Sequence, residues 1–200
     1  MKKFMLWLLF TAPAINATTF EQEIIAASIE RTTHQVTYDG SYISIAYPNG
    51  DVPKNIGVCT DVVIRSYRGI GTDLQQLVHE DMRDNFLLYP SKRMWGLKST
   101  DKNIDHRRVP NLQTFFTRHG SVLTTSAVAS DYKPGDIVTW MVSGNLPHIG
   151  IVIDRINPKT GNPMIVHNIG SGPEIEDMLF NYKITGHYRY VPAKYNEQIN

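Results

Sequence analysis

The sequence predicts an α+β domain in which helices come first and an antiparallel sheet follows. Helical apolar spacing recurs up to about residue 118, and short β-type runs between turn clusters begin after Pro134-Gly135. No strand–helix–strand alternation interrupts that order, which argues against a doubly wound parallel sheet.

Each element follows from its residues. Phe20 to about His34 reads as a helix, with Ile24, Ile25, Ala27 and Ile29 supplying the apolar positions. Tyr38 to Pro48 alternates weakly and contains Asp39-Gly40, so it reads as a short hairpin or an extended strap. A turn-rich lead from Pro48 to Gly57 precedes Cys59 to Tyr67, whose spacing is helical and which Gly69 stops. Asp73 to about Leu88 forms another helix, capped by Thr72 or Asp73. Residues 90–110 are polar with little periodicity, and Leu112 to Arg118 makes a short helix closed by Gly120. Asp136 to Val142, His148 to Asp154 and Met164 to His167 are strands, set apart by Asn145-Leu146-Pro147 and by the turn cluster 157–163. A short helical stretch near Glu174 to Phe180 precedes a last strand, Lys183 to Val191.

The first residues carry an export signature. Lys2 and Lys3, the apolar run Phe4 to Phe10 and small residues ending at Ala14 or Ala17 are the three parts of a secretory signal. The expected division is a signal peptide over residues 1–17 and a single domain over residues 18–200, with a periplasmic or secreted location. The run falls short of the roughly 20 apolar residues that a bilayer span takes, so no stable membrane insertion is expected after cleavage. The chain has 20 Lys and Arg against 19 Asp and Glu, and losing Lys2 and Lys3 leaves it close to neutral. That balance offers no overall field for steering onto nucleic acid or an anionic membrane. Basic residues cluster only at His106-Arg107-Arg108.

Cys59 is the one cysteine of a chain that carries an export signal. It cannot form a disulfide within its own chain, so it is either a reactive thiol, an intermolecular link or a small core residue. Its place at a helix start favours reactivity, because free N–H groups and the positive end of the helix dipole stabilise a thiolate there. Such a nucleophile needs a base and a group that orients the base. His148 opens a strand whose Ile149, Ile151 and Ile153 pack the opposite face, and Gly150 is expected to leave open space beside its ring. His167 ends the neighbouring strand and is placed to hold the His148 tautomer, with Asn168 as the alternative third residue. Asp61 and Arg65 are one helical turn apart and are expected to pair. Arg107, Arg108 and His187 line a cleft for acidic groups or lie on a solvated loop. His79-Glu80-Asp81 is expected on a solvated helix face. A metal grouping of His148 and His167 with Asp154 or His187 lacks any metal-ligand spacing, and Gly170-Ser171-Gly172 reads as a turn.

Taken in order, Cys59 at a helix start, Lys133 to Val138 (KPGDIV), His148 to Val152 (HIGIV) and Ile165 to His167 (IVH) resemble the NlpC-type cell-wall cysteine peptidases. The whole mature chain is similar to the YijF-like family of exported bacterial proteins, through Gly57 to Val63, His167 to Gly170 and Gly186 to Tyr190. The resemblance implies a papain-like fold, a Cys59–His148–His167 triad, no metal or organic cofactor, and a peptidoglycan or peptide substrate. The peptidases commonly carry Asp-Cys-Ser at the nucleophile, and Val58-Cys59-Thr60 stands here, a difference that bears on substrate choice and on Thr60 as a binding residue. Two rival readings share the fold: a non-catalytic binding protein of the envelope, and an acyltransferase that uses the same thiol.

Overall fold

A computed structural model describes residues 18–196, so the expected signal over residues 1–17 lies outside the described residues. Helix α1 (Phe20–Arg31) begins at Thr19, whose hydroxyl accepts from the Gln22 N–H while the Gln22 side chain accepts from the Thr19 N–H. That reciprocal pair satisfies two donors the helix start would otherwise leave open. Strand β1 (Thr37–Tyr38) pairs in parallel with β2 (Ile56–Gly57), so the intervening chain is an extended strap and not a hairpin. Buried Gln75 anchors the strap, donating to the Ala46 carbonyl at 2.8 Å and accepting from the Gly50 N–H at 2.7 Å.

Helix α2 (Cys59–Gly69) runs through the centre and buries Val62, Val63, Ile64 and Tyr67. Helix α3 (Leu74–Asp84) is capped by Asp73, which accepts from the Gln75 N–H at 3.0 Å. It stops before the predicted Leu88 because Asn85 turns its side chain back onto the Asp81 carbonyl, closing the helix end. A single 3-10 turn, Phe86–Leu88, follows. Helix α4 (Ser91–Trp95) falls in the stretch that showed no periodicity, since five residues are too few to display one. Helix α5 (Val109–His119) starts ahead of the predicted Leu112 because Pro110 is tolerated in a first turn.

The sheet has six strands in the order β3-β8-β4-β5-β6-β7, every pair antiparallel. They are β3 (Ser121–Val122), β4 (Ile137–Val142), β5 (Leu146–Ile156), β6 (Pro163–His167), β7 (Glu174–Glu176) and β8 (Lys183–Arg189). A last short helix, α6 (Ala193–Asn196), closes the described chain. Strand β7 corrects the helix expected near Glu174. Gly170 and Gly172 both take positive φ and fold the chain back beside β6, where pairing overrides local preference.

The two faces of the sheet are covered differently. Ile137, Ile149, Ile151, Ile153 and Val166 pack against the helices through Ile24, Val63, Tyr67, Leu112 and Phe116. Val138, Trp140, Val142, Val152 and Ile165 pack against Tyr132, Met178 and Leu179 from the connecting loops. The α+β class with helices on an antiparallel sheet is therefore the one observed. Among the described residues, no helix is long and apolar enough to cross a membrane.

Candidate active site

Strand alternation settles which side chains meet. His148 is directly opposite Trp140 on β4, and His167 lies two residues beyond Ile165, so both rings stand on the second face. They touch as expected, with His148 Nε2 3.1 Å from His167 Nδ1. His167 Nε2 lies 3.0 Å from Glu176 Oε2 on β7. Both imidazoles are buried, whereas the Glu176 side chain is half exposed.

The donors and acceptors in this row fix one another. The Glu176 carboxylate accepts from His167 Nε2–H, which leaves His167 Nδ1 an acceptor. His148 must then donate through Nε2–H, and its Nδ1 is left with a free lone pair. The arrangement delivers a neutral base at one nitrogen, His148 Nδ1. Burial, reinforced by the neighbouring His167, pushes the His148 pKa down to about 3, so the ring stays neutral. Burial also lowers the His167 pKa, and Glu176 pulls against it.

Cys59 opens α2 and is almost fully buried. Strand β6 ends at His167, and beyond that end the backbone N–H of Ile149 meets the Cys59 sulfur, together with the N–H groups of Thr60 and Cys59 itself. Among the described residues no hydrogen bond joins the thiol to the His148 ring; the sulfur engages the next residue of the same strand. The expectation that the helix start lowers the thiol pKa is overturned. Burial pushes it up to about 12, outweighing the three amide donors that stabilise the thiolate. At rest the thiol is neutral among the residues of the helix-covered face, and the His148 imidazole is neutral on the other face of the same strand.

Tyr38 is a site residue that the sequence reading missed, because it sits in a strap with no motif of its own. Its hydroxyl reaches the Cys59 thiol, and burial together with the thiol pushes its pKa up to about 12. The strap is pinned beside the site by Arg107. That guanidinium donates to both carboxylate oxygens of Asp61 at 2.9 and 2.8 Å, and to the carbonyls of Ser41 and Asp39. Asp61 in turn accepts from the Val58 N–H at 2.7 Å, just before Cys59.

These contacts correct several expectations. Asp61 pairs with Arg107, and Arg65 pairs with Asp51, so the predicted Asp61–Arg65 pair does not form. Arg107 is buried in its ion pair and lines no open cleft. Thr60 is buried too, spending its hydroxyl on the Arg107 carbonyl at 3.1 Å. Arg108 bonds Asp105 at 3.3 Å and lies over the Trp95 ring at 4.5 Å. Asn168 accepts from the Gly170 N–H and makes no hydrogen bond to His148, whereas His167 does contact that ring. Gly150 leaves no open space: an added Cβ would lie 2.7 Å from Ile165 Cγ2 and 2.9 Å from the Val166 carbonyl oxygen. Its role is to let β5 and β6 approach closely enough for the histidines to meet. Asp81 is no solvated charge, since it accepts from Arg118, Tyr89 and Asn85.

His187 lies elsewhere in the sheet. Its Nε2 is 2.8 Å from Asp136, its Nδ1 is 3.0 Å from the Thr124 carbonyl, and its ring stacks on Tyr132. Asp136 also accepts from Arg189 at 2.7 Å and from the Lys133 N–H at 2.8 Å. The Pro-Gly-Asp turn and the Gly186 to Tyr190 segment are thus two halves of one structural brace. His187 is therefore unavailable to a metal group around His148. His167, Glu174 and Glu176 do bring one donor atom each within 4.8 Å of one another, but His167 already spends both ring nitrogens on His148 and Glu176.

Helices on an antiparallel sheet, with a buried helix-start cysteine and two buried histidines in a row with a carboxylate, define the class of the molecule. The chain belongs to the family described as Domain of unknown function (DUF1287), whose model matches residues 25–190. It is 54% identical over 153 residues to the uncharacterized protein YijF of Escherichia coli (strain K12), covering 76% of this chain and 73% of that protein. Two solved structures align with TM-scores of 0.46. One is NlpC1 from Trichomonas vaginalis, at 14% identity, matching 88% of this chain and 46% of that longer one. The other is an N-acetylmuramoyl-L-alanine amidase from Bacteroides uniformis ATCC 8492, at 12% identity, matching 84% and 96%.

Proposed function

We propose that this protein is an exported cysteine hydrolase that cleaves an amide bond in peptidoglycan stem peptides. The observation that carries the reading is the row His148–His167–Glu176, which leaves His148 Nδ1 as a base on the strand that the Cys59 sulfur touches. Cys59 packs with the helix-covered face and the His148 ring stands on the other, so proton transfer between them requires a bridging water or a turn of the ring when substrate binds. Cys59 Sγ attacks the carbonyl carbon while its proton passes to His148 Nδ1. The Cys59 N–H and the Tyr38 hydroxyl hold the oxyanion. Collapse expels the amine, which takes the proton from His148, and leaves a thioester. Water then attacks the thioester and restores the thiol. An amine in place of water would make the same acyl-enzyme a transferase. The residues 2–17 signature supports a periplasmic or secreted location.

One observation favours the non-catalytic envelope-binding reading: the thiol is buried and protonated at rest. Incubation of the mature protein with purified sacculi and defined muropeptides, followed by mass analysis, separates the two. Hydrolysis requires new amino groups with wild type and none with Cys59→Ala. Binding to sacculi with no new amine from either protein overturns the enzyme.

A further inference from the structure

Away from the site, the chain between Asp84 and Asp101 has an unusual make-up. Residues 85–100 contain Lys92, Arg93 and Lys98 and no acidic residue. They also hold four large apolar side chains in solvent: Leu87 is 78% exposed and Leu88 60%, and Met94 and Trp95 are exposed as well. Among the described residues, none of the three cations takes part in a salt bridge, whereas Arg83, Arg107, Arg108 and Arg118 all do. Leu87, Leu88, Lys92 and Arg93 line one wide groove of about 960 Å³ between the 3-10 turn, α4 and α5. It does not include Cys59, His148 or His167.

We infer that this groove and the exposed side chains around it are a peripheral docking surface for an anionic phospholipid bilayer. Charge complementarity selects the partner. Cations without protein partners are attracted to acidic headgroups. Exposed leucines, methionine and tryptophan gain nothing from a hydrated anionic polymer but gain from the boundary between headgroups and acyl chains. The near-neutral charge of the whole chain conceals this, because acidic residues elsewhere balance a groove whose lining residues include Lys92, Arg93 and Arg118 and no carboxylate. Docking here is shallow and reversible, with no helix inserted.

The test is co-sedimentation of the mature chain with vesicles of phosphatidylethanolamine and phosphatidylglycerol, against vesicles of phosphatidylcholine alone. Binding is expected to the anionic vesicles and to weaken as salt is raised. Lys92→Ala with Arg93→Ala is expected to weaken it about thirtyfold. Leu87→Ser with Leu88→Ser, at exposed positions that leave the fold intact by circular dichroism, is expected to abolish it. No binding to anionic vesicles overturns the proposal. Binding that needs the cations but survives loss of both leucines also overturns it, pointing to a polyanion. Loss of self-association in the leucine variant, with no vesicle binding by either protein, reassigns the surface to a contact between copies.

Discussion

Glu176 Oε2 stands 3.0 Å from His167 Nε2, on the side of that ring turned away from His148. Glu174 is the residue directly opposite His167 in the strand register, yet the bond comes from Glu176, the diagonal neighbour. A half-exposed carboxylate thus orients a ring buried behind it, and through that ring a second one.

Glu176→Ala is expected to lower kcat/KM about tenfold, a modest loss because solvent shares the carboxylate's position. The pH profile carries the sharper sign. Glu176 raises the His167 pKa, so its removal moves the acidic limb of the profile to lower pH. A uniform drop in rate with an unmoved limb assigns Glu176 a purely structural part.

Alkylation of Cys59 by iodoacetamide should be slow at neutral pH and keep rising to above pH 10, following a thiol held up at about 12 by burial. A rate that levels off below pH 8 contradicts the neutral resting pair. Tyr38→Phe removes a polar group beside the sulfur and is expected to reduce kcat by about a hundredfold with little change in KM.

Acid should destabilise the fold in two stages. Burial holds His148 and His106 down to about 3, below their ordinary 6.5, so between those values the unfolded chain binds two protons that the folded chain does not. Burial raises Asp105 to about 6 from 3.8, so between those values the folded chain binds one proton that the unfolded chain lacks. Stability therefore falls as pH drops from about 6 to 4, and falls more steeply below pH 4, where Asp105 no longer offsets the two histidines. Denaturant titrations across this range check the slope, and His148→Gln should remove about one proton's share of it.

Arg107→Met leaves the Asp61 carboxylate buried without its cation and is expected to cost about 3–5 kcal/mol. Adding Asp61→Asn should return part of that loss, and thermal unfolding of the four variants in the double-mutant cycle measures the coupling. Independent effects that merely add would falsify the assigned pair.

Gly150→Ala puts a methyl group against Ile165 and the Val166 carbonyl, forcing β6 away from β5. The expected outcome is loss of activity with the helical signal retained, and a change in the coupled imidazole resonances seen by NMR.

The sequence was legible where periodicity and punctuation act locally. Helix α2, strands β4 to β6 and the meeting of His148 with His167 follow from alternation and turns. What it hid came from distant partners. Asp61 had a plausible helical neighbour in Arg65, but Arg107, reaching in from beyond α4, offered two parallel bonds in a buried place. Strand β7 is only three residues long, and neither it nor Glu176 announces itself until β6 is beside it. The Cys59 pKa failed for a related reason: the helix start is visible in sequence, but the depth at which the fold buries it is not.

The thiol belongs to the early part of the chain, whereas Arg107, His148, His167 and Glu176 all come later. A polypeptide synthesised or threaded N-terminus first therefore presents Cys59 with no base beside it and no clamp on the strap that carries Tyr38. These contacts are long-range in sequence. A half-made chain therefore exposes Cys59 as an ordinary thiol, and completing the fold both buries it and raises its pKa, so the finished protein shields the one thiol of its sequence.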